Sequence, residues 1–163
     1  SEMCIRDRYR YAANSRNKVE TQGASLGFNW FIDDHFTFNG NYSWNKLVKT
    51  NEDDPIIPAY NTPEHKYNVG LTARGLAAKA KDTWGFGINY RWVQGFVFEG
   101  SPQFTGLVPG FDLLDTQLNY RFEDQGLMLK AGASNLLRNE HIETYGGPTV
   151  GRLAYMSLSL DVN

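Results

Sequence analysis

From His35 to Lys46 the chain alternates strictly. Phe36, Phe38, Tyr42 and Trp44 fall on one parity, and His35, Thr37, Asn39, Asn41, Ser43 and Asn45 on the other. Successive side chains of a strand point to opposite faces, so this period predicts a strand with one aromatic, apolar face and one polar face. The pattern recurs along the chain. Ala24, Leu26, Phe28, Trp30 and Ile32 oppose Gly23, Ser25, Gly27 and Asn29; Trp84, Phe86, Ile88, Tyr90 and Trp92 oppose Gly85, Gly87, Asn89 and Arg91. Leu114, Leu118, Tyr120 and Phe122 oppose Asp115, Gln117, Asn119 and Arg121, while Met156, Leu158, Leu160 and Val162 oppose Tyr155, Ser157, Ser159 and Asp161. Weaker alternation covers 67–74 and 127–137. About seven strands are expected, each near the 9 to 11 residues that a tilted strand needs to cross a bilayer.

A soluble β-sandwich alternates too, but its strands run to about 5 or 6 residues and its core is rich in Val, Ile and Leu. Here Trp and Tyr stand near both ends of the strands, as in Trp30, Trp44, Trp84, Tyr90 and Trp92, where the two interfacial belts of a membrane barrel would place them. Composition agrees with a two-sided sheet: 14% of residues are aromatic, yet the mean hydropathy is -0.48. The longest apolar runs, such as Trp30-Phe31-Ile32, fall far short of the roughly 20 residues of a transmembrane helix. A net charge of -2 offers no basic face for a nucleic-acid partner. Cys4 is the single cysteine and has no Cys/His spacing around it for zinc. The expected fold class is therefore all-β, an antiparallel up-and-down transmembrane β-barrel in the cell outer membrane, with membrane lipids against its aromatic face.

The connections support that reading, because such barrels pair short periplasmic turns with long external loops. Asp33-Asp34, 76–82 and 123–126 are short; 47–62, 96–109 and 138–151 are long, and the two classes alternate. Pro55, Pro58, Pro102, Pro109 and Pro148 fall in the long loops, where no ladder hydrogen bond is lost, and Pro63 sits at the start of the next strand. An odd count of about seven strands cannot close a cylinder without an open edge, and an open edge in lipid leaves backbone groups unsatisfied. The chain therefore reads as a piece of a larger barrel, with the missing strands upstream. The opening 1–8 does not alternate and resembles a stray leader from translated adapter sequence, which leaves 9–163 for the barrel.

The last third carries a resemblance. Gly126-Leu-Met-Leu-Lys-Ala-Gly-Ala-Ser-Asn-Leu-Leu137, then Tyr145-Gly-Gly-Pro-Thr-Val-Gly-Arg152, then a closing strand from Leu153 to Val162, looks like the C-terminal end of TonB-dependent outer-membrane receptors, of the kind found in Bacteroidetes. The proline-led Asn61-Thr-Pro-Glu-His-Lys-Tyr-Asn-Val69 and the polar Arg16-Asn-Lys-Val-Glu20 are similar to strand entries of the same barrels. The resemblance implies a barrel of about 22 strands with a plugged lumen, of which this chain supplies about the last seven. It implies import of a scarce ligand of siderophore, cobalamin, glycan or peptide type. The partners it implies are the receptor's own N-terminal plug domain, absent here, the energy-transducing TonB protein and the barrel-assembly machinery. Tyr155, Leu158, Leu160 and Val162 would carry the assembly signal, although Val162 stands where such barrels usually end on an aromatic residue. The alternative is a small stand-alone outer-membrane barrel of about 8 strands with a structural or adhesive role.

Little in the sequence points to catalysis. Ser134 lies in Gly132-Ala-Ser-Asn-Leu136, which lacks the second Gly of a nucleophile elbow, and reads as a small lumen-facing serine beside a turn. His35, His65 and His141 lie at a turn, a strand start and a loop, without the spacing of a shared metal site, and are expected to be solvated or interfacial. Asn51-Glu-Asp-Asp54 departs from calcium-loop spacing and reads as a solvated acidic loop. Gly85 and Gly87 sit inside a strand, where they ease curvature or leave room for a plug. No enzymatic activity, cofactor or metal is expected. The candidate ligand contacts are Phe98, Gln103 and Phe104, in an unusually apolar external loop, together with Arg91 and Arg121 on the lumen face. Asp115, Lys130 and Arg152 are assigned to that face as well; pairing with the plug is the plainer role for any one of these charges.

Overall fold

A computed structural model describes residues 20–49, 60–78, 81–100 and 104–161. Nine strands form: β1 (Glu20–Phe31), β2 (Phe36–Lys49), β3 (His65–Ala77), β4 (Thr83–Val93), β5 (Phe96–Glu99), β6 (Thr105–Val108), β7 (Phe111–Phe122), β8 (Leu127–Ser134) and β9 (Leu153–Leu160). Seven of them make one antiparallel sheet in the order β1-β2-β3-β4-β7-β8-β9, a meander in which each strand pairs with its neighbour in sequence, apart from the β5–β6 ribbon that intervenes between β4 and β7. Among the described residues β1 and β9 each pair on one side alone, so the sheet is open. The leader 1–8, the acidic stretch 51–54, Gln103 and Val162 lie outside the described residues.

Register places the alternation of every strand in phase. Asn29, Asn39, Gly70, Asn89 and Asp115 are consecutive partners across five strands, and Gly87, Gln117, Gly132 and Tyr155 across four. One face of the sheet is therefore polar across its middle levels, with Phe111 and Leu113 breaking the pattern at the long-loop end. The opposite face gathers its aromatics at two levels. At the long-loop end Tyr67 packs between Trp92, with centroids 5.4 Å apart, and Tyr90, 6.0 Å away; at the short-turn end Trp84 meets Phe86 at 6.0 Å and Tyr120 meets Phe122 at 4.7 Å. Trp84 and Trp92 are eight positions apart on β4, about 27 Å along an antiparallel strand, so the belts frame a band close to the roughly 25 Å apolar band of an outer-membrane barrel once the strand is tilted.

Among the described residues nothing covers the band. Leu26 is 71% exposed, Met156 76% and Leu158 66%, and the buried apolar side chains among the described residues are Ala73, Val108, Phe111 and Leu113. Burying one such side chain is worth roughly 1.5–3 kcal/mol, so a whole face of them favours apolar surroundings, and the described residues supply no second sheet packed on it as a sandwich would.

Several boundaries differ from the sequence reading, β2 running on to Lys49 and β3 spanning His65–Ala77. The alternation of 127–137 stops at Ser134, because Asn135 adopts φ 53° and turns the chain out of the strand. The loop 96–109 contains the β5–β6 ribbon, whose register, Phe96↔Val108 to Glu99↔Thr105, continues that of Val93↔Phe111. The ribbon is set off from the sheet by Gly95 and Gly110: a Cβ on Gly95 would lie 2.7 Å from the Gly110 nitrogen, and one on Gly110 would lie 2.9 Å from the Gly95 nitrogen. Only glycines allow the two backbones to approach this closely.

Short turns are locked by their own acids. Asp33 Oδ1 accepts from the backbone N–H groups of His35 and Phe36, both at 2.7 Å, an Asx turn that joins β1 to β2. These two donors hold the Asp33 carboxyl below the usual carboxylate range. Asp82 in the β3–β4 turn instead ties that turn to the β7–β8 turn, accepting from the Glu123 N–H and the Tyr120 hydroxyl, each at 3.1 Å.

Candidate functional site

The long-loop end holds the only compact cluster among the described residues. Phe111 and Leu113 project from the polar face of β7, and the segment after β8 folds over them. His141 stacks on Phe111 with centroids 4.2 Å apart and is only 7% exposed. Its Nδ1 donates to the Asn139 carbonyl at 3.0 Å, and its buried Nε2 has no hydrogen-bond partner, with Glu143 Oε1 3.8 Å away. The expected solvated histidine is thus corrected: Phe111 supplies an apolar platform that removes the ring from water.

Asn135 builds this fold-over. Its carboxamide stands in for a peptide group, donating to the Asn139 carbonyl and accepting from the Asn139 N–H, both at 2.8 Å. Its own N–H and the Ser134 hydroxyl both donate to Asp115 Oδ1, at 2.9 and 2.7 Å. Asn139 Nδ2 in turn donates to the carbonyl and the carboxylate of Asp112, each at 3.0 Å. Ser134 is therefore a strut that ties the end of β8 to β7 through the Asp115 carboxylate.

Two other connections hold the β5–β6 ribbon. The Asn61 carboxamide pairs with the backbone of Glu99, accepting from its N–H at 2.7 Å and donating to its carbonyl at 3.1 Å. The Tyr145 ring packs on Gly106, so close that a Cβ there would overlap its edge. Segments from the three long connections thus meet in one rim. Phe98 and Phe104 stand on this ribbon, on either side of Gly100, whose N–H donates to the Phe104 carbonyl at 3.1 Å. Phe104, Val97 and Leu107 are more than half exposed, so the rim presents apolar surface outside the belts.

Below the rim the polar face forms a shallow hollow of about 490 Å³, lined by Asn39, Arg74, Asn89, Gln117 and Tyr155 among others. Tyr155 covers Gly132 and donates to Gln117 Oε1 at 3.0 Å. Gly70 leaves space for the Asn39 and Asn89 carboxamides that lean over it. Gly85 permits close approach of the Ala73 carbonyl, whereas Gly87 faces open space. Among the described residues there is no group of His, Cys, Asp or Glu arranged to hold a metal.

The profile of the family described as TonB dependent receptor-like, beta-barrel matches residues 4–136. The chain belongs to this family. Comparison with curated proteins and with solved structures returned no match. As a TonB-dependent receptor barrel, the chain comes from a class of outer-membrane transport proteins that are not enzymes.

The expected ligand contacts of this receptor barrel do not form one site. Phe98 and Phe104 share the rim ribbon. Arg91 lies on the polar face near the rim, opposite Asn68 and Leu113. Arg121 lies at the other end of the sheet, opposite Thr83, where its Nε donates to Glu123 Oε2 at 2.8 Å. Arg152 precedes β9 and stands outside the strand, so its assignment to the lumen parity does not hold. Of the assembly-signal residues, Leu158 and Leu160 face the apolar side while Tyr155 faces the polar side. Tyr145 and Asn61 entered the sequence reading only as members of the motifs that carried the resemblance, and His141 only as a histidine expected to be solvated or interfacial; none was expected to shape the rim.

Proposed function

We propose that the chain is a seven-strand sector, within 9–163, of the barrel of a TonB-dependent receptor that imports a scarce ligand across the outer membrane. The single observation that carries this is the in-phase, two-sided sheet: an uncovered apolar face framed by two aromatic belts, backed by a polar face that is continuous across all seven strands. Closure then requires further strands beyond β1 and β9, since an edge in lipid costs several kcal/mol for each unsatisfied backbone group. In the whole receptor the polar face would look onto an N-terminal plug domain, and TonB would supply energy through that plug. The short turns would face the periplasm and the rim the outside, where Phe98 and Phe104 are placed to meet the ligand. Siderophore, cobalamin, glycan and peptide ligands all suit such an importer.

The test is the complete gene product. Its reading frame upstream of this chain should encode a plug domain behind a signal peptide, and the protein should fractionate with outer membranes and change gel mobility on heating. A frame that supplies one further strand and no plug would establish a small stand-alone barrel in its place.

A further inference from the structure

We infer that the inner wall of this sector is built to take hydroxylated anions, small solutes that carry a carboxylate or phosphate beside hydroxyl groups; the inference rests on the receptor reading. Although the chain as a whole has a net charge of -2, the polar-face positions of the central strands β3, β4, β7 and β8 carry Lys66, Arg74, Arg91, Arg121 and Lys130 against the single carboxylate of Asp115. Asp115 is already engaged by Ser134 and Asn135, and Arg121 by Glu123. Among the described residues no carboxylate lies within ion-pair distance of Lys66, Arg74, Arg91 or Lys130.

Their placement is graded along the wall. Lys66 and Arg91 occupy the two levels nearest the rim, and Arg74 and Lys130 flank the Gly85 and Asn119 level near the short turns, about 20 Å further along the strands. Between them runs the carboxamide band of Asn29, Asn39, Asn89 and Gln117. Two carboxamide oxygens, Asn39 Oδ1 and Asn68 Oδ1, are buried without a hydrogen-bond partner. Cations at both levels favour a negative solute at either end of the wall, and a predominance of one sign strengthens that attraction. The carboxamides accept from hydroxyl groups and donate to them without adding charge. An acid with several hydroxyls satisfies both sets of groups at once.

Galacturonate and galactose, which differ only in a carboxylate at C6, separate charge from shape. Equilibrium dialysis of the purified full-length receptor in neutral detergent should show galacturonate held about tenfold more tightly than galactose at low salt, with the preference shrinking at high salt. The double variant Lys66→Gln/Arg91→Gln should lose most of the preference, and Lys66→Arg/Arg91→Lys should retain it. Equal binding of the two sugars, no detectable binding of galacturonate, or a preference that survives the Gln variant overturns the inference. If the Gln variant keeps the preference but exposes the plug to protease, the cations are plug partners and the inference is likewise overturned. Outer-membrane fractionation and the heat-dependent mobility of the same preparation report on the receptor reading separately, since a protein that lacks both is not such a receptor whatever it binds.

Discussion

Asn135 shows how much a single side chain decides at this end of the sheet. It is 2% exposed, adopts positive φ, and replaces two peptide hydrogen bonds with its carboxamide. Asn135→Gly keeps the backbone conformation and loses the amide contacts, whereas Asn135→Ala loses both. Each orphaned buried polar group costs about 1–3 kcal/mol, so both variants should lower the urea midpoint of the full-length protein, Ala more than Gly. Asp33 offers a test by pH. Because its carboxyl titrates below the usual range in the folded protein, the turn it locks contributes stability that is complete above the ordinary aspartate pKa of about 4 and disappears as pH falls through the lower folded value. Asp33→Asn keeps an acceptor that does not titrate. A urea series taken downward in pH should show the wild type losing more stability than the variant in that acidic window.

At the scale of elements, the two faces of a strand should respond in opposite ways to one substitution. Ile88→Arg places a cation in the apolar band and should cost roughly 2–4 kcal/mol or prevent insertion, while Asn89→Arg on the polar side should be mild. Equal effects in a folding assay into lipid vesicles would contradict the assignment of faces. The rim ribbon makes a separate prediction. Gly106→Ala pushes Tyr145 off its seat, so external protease should cut within 96–108 faster than in the wild type, and adding Tyr145→Ala should remove the clash without restoring protection. The strands themselves were legible in the sequence, because period two is a local signal that survives in any register. The ribbon was not. Its pairing depends on Gly95 and Gly110 meeting across a gap of fifteen positions, and its seat on a tyrosine from another connection, and neither leaves a periodic trace.

For the whole molecule, the open sheet sets the behaviour. Residues 9–163 refolded alone into detergent should not give a compact, heat-modifiable monomer, because both edges remain unpaired; the full-length protein should. A compact monomer from the short chain, seen by gel mobility before and after heating, would favour the small-barrel alternative. Single charges on the polar face matter at this scale and not before it. Arg91 and Arg121 share a parity in the sequence, yet register puts them at opposite ends of the wall, one near the rim and unpaired among the described residues, the other closed off by Glu123.

By itself the sequence determined which segments make the seven strands of the sheet, which face of each is apolar, and on which side the long connections lie, since all three follow from local alternation and turn chemistry. Tertiary structure alone decided register, and with it the line of cations down the polar face. It also decided that His141 leaves water to stack on Phe111 and that Asn61 and Tyr145, from two different connections, hold one ribbon. The physical reason is range. Periodicity and turns are written within a few residues, whereas the rim and the inner wall are made by groups between roughly twenty and forty positions apart that meet only when the strands are laid side by side.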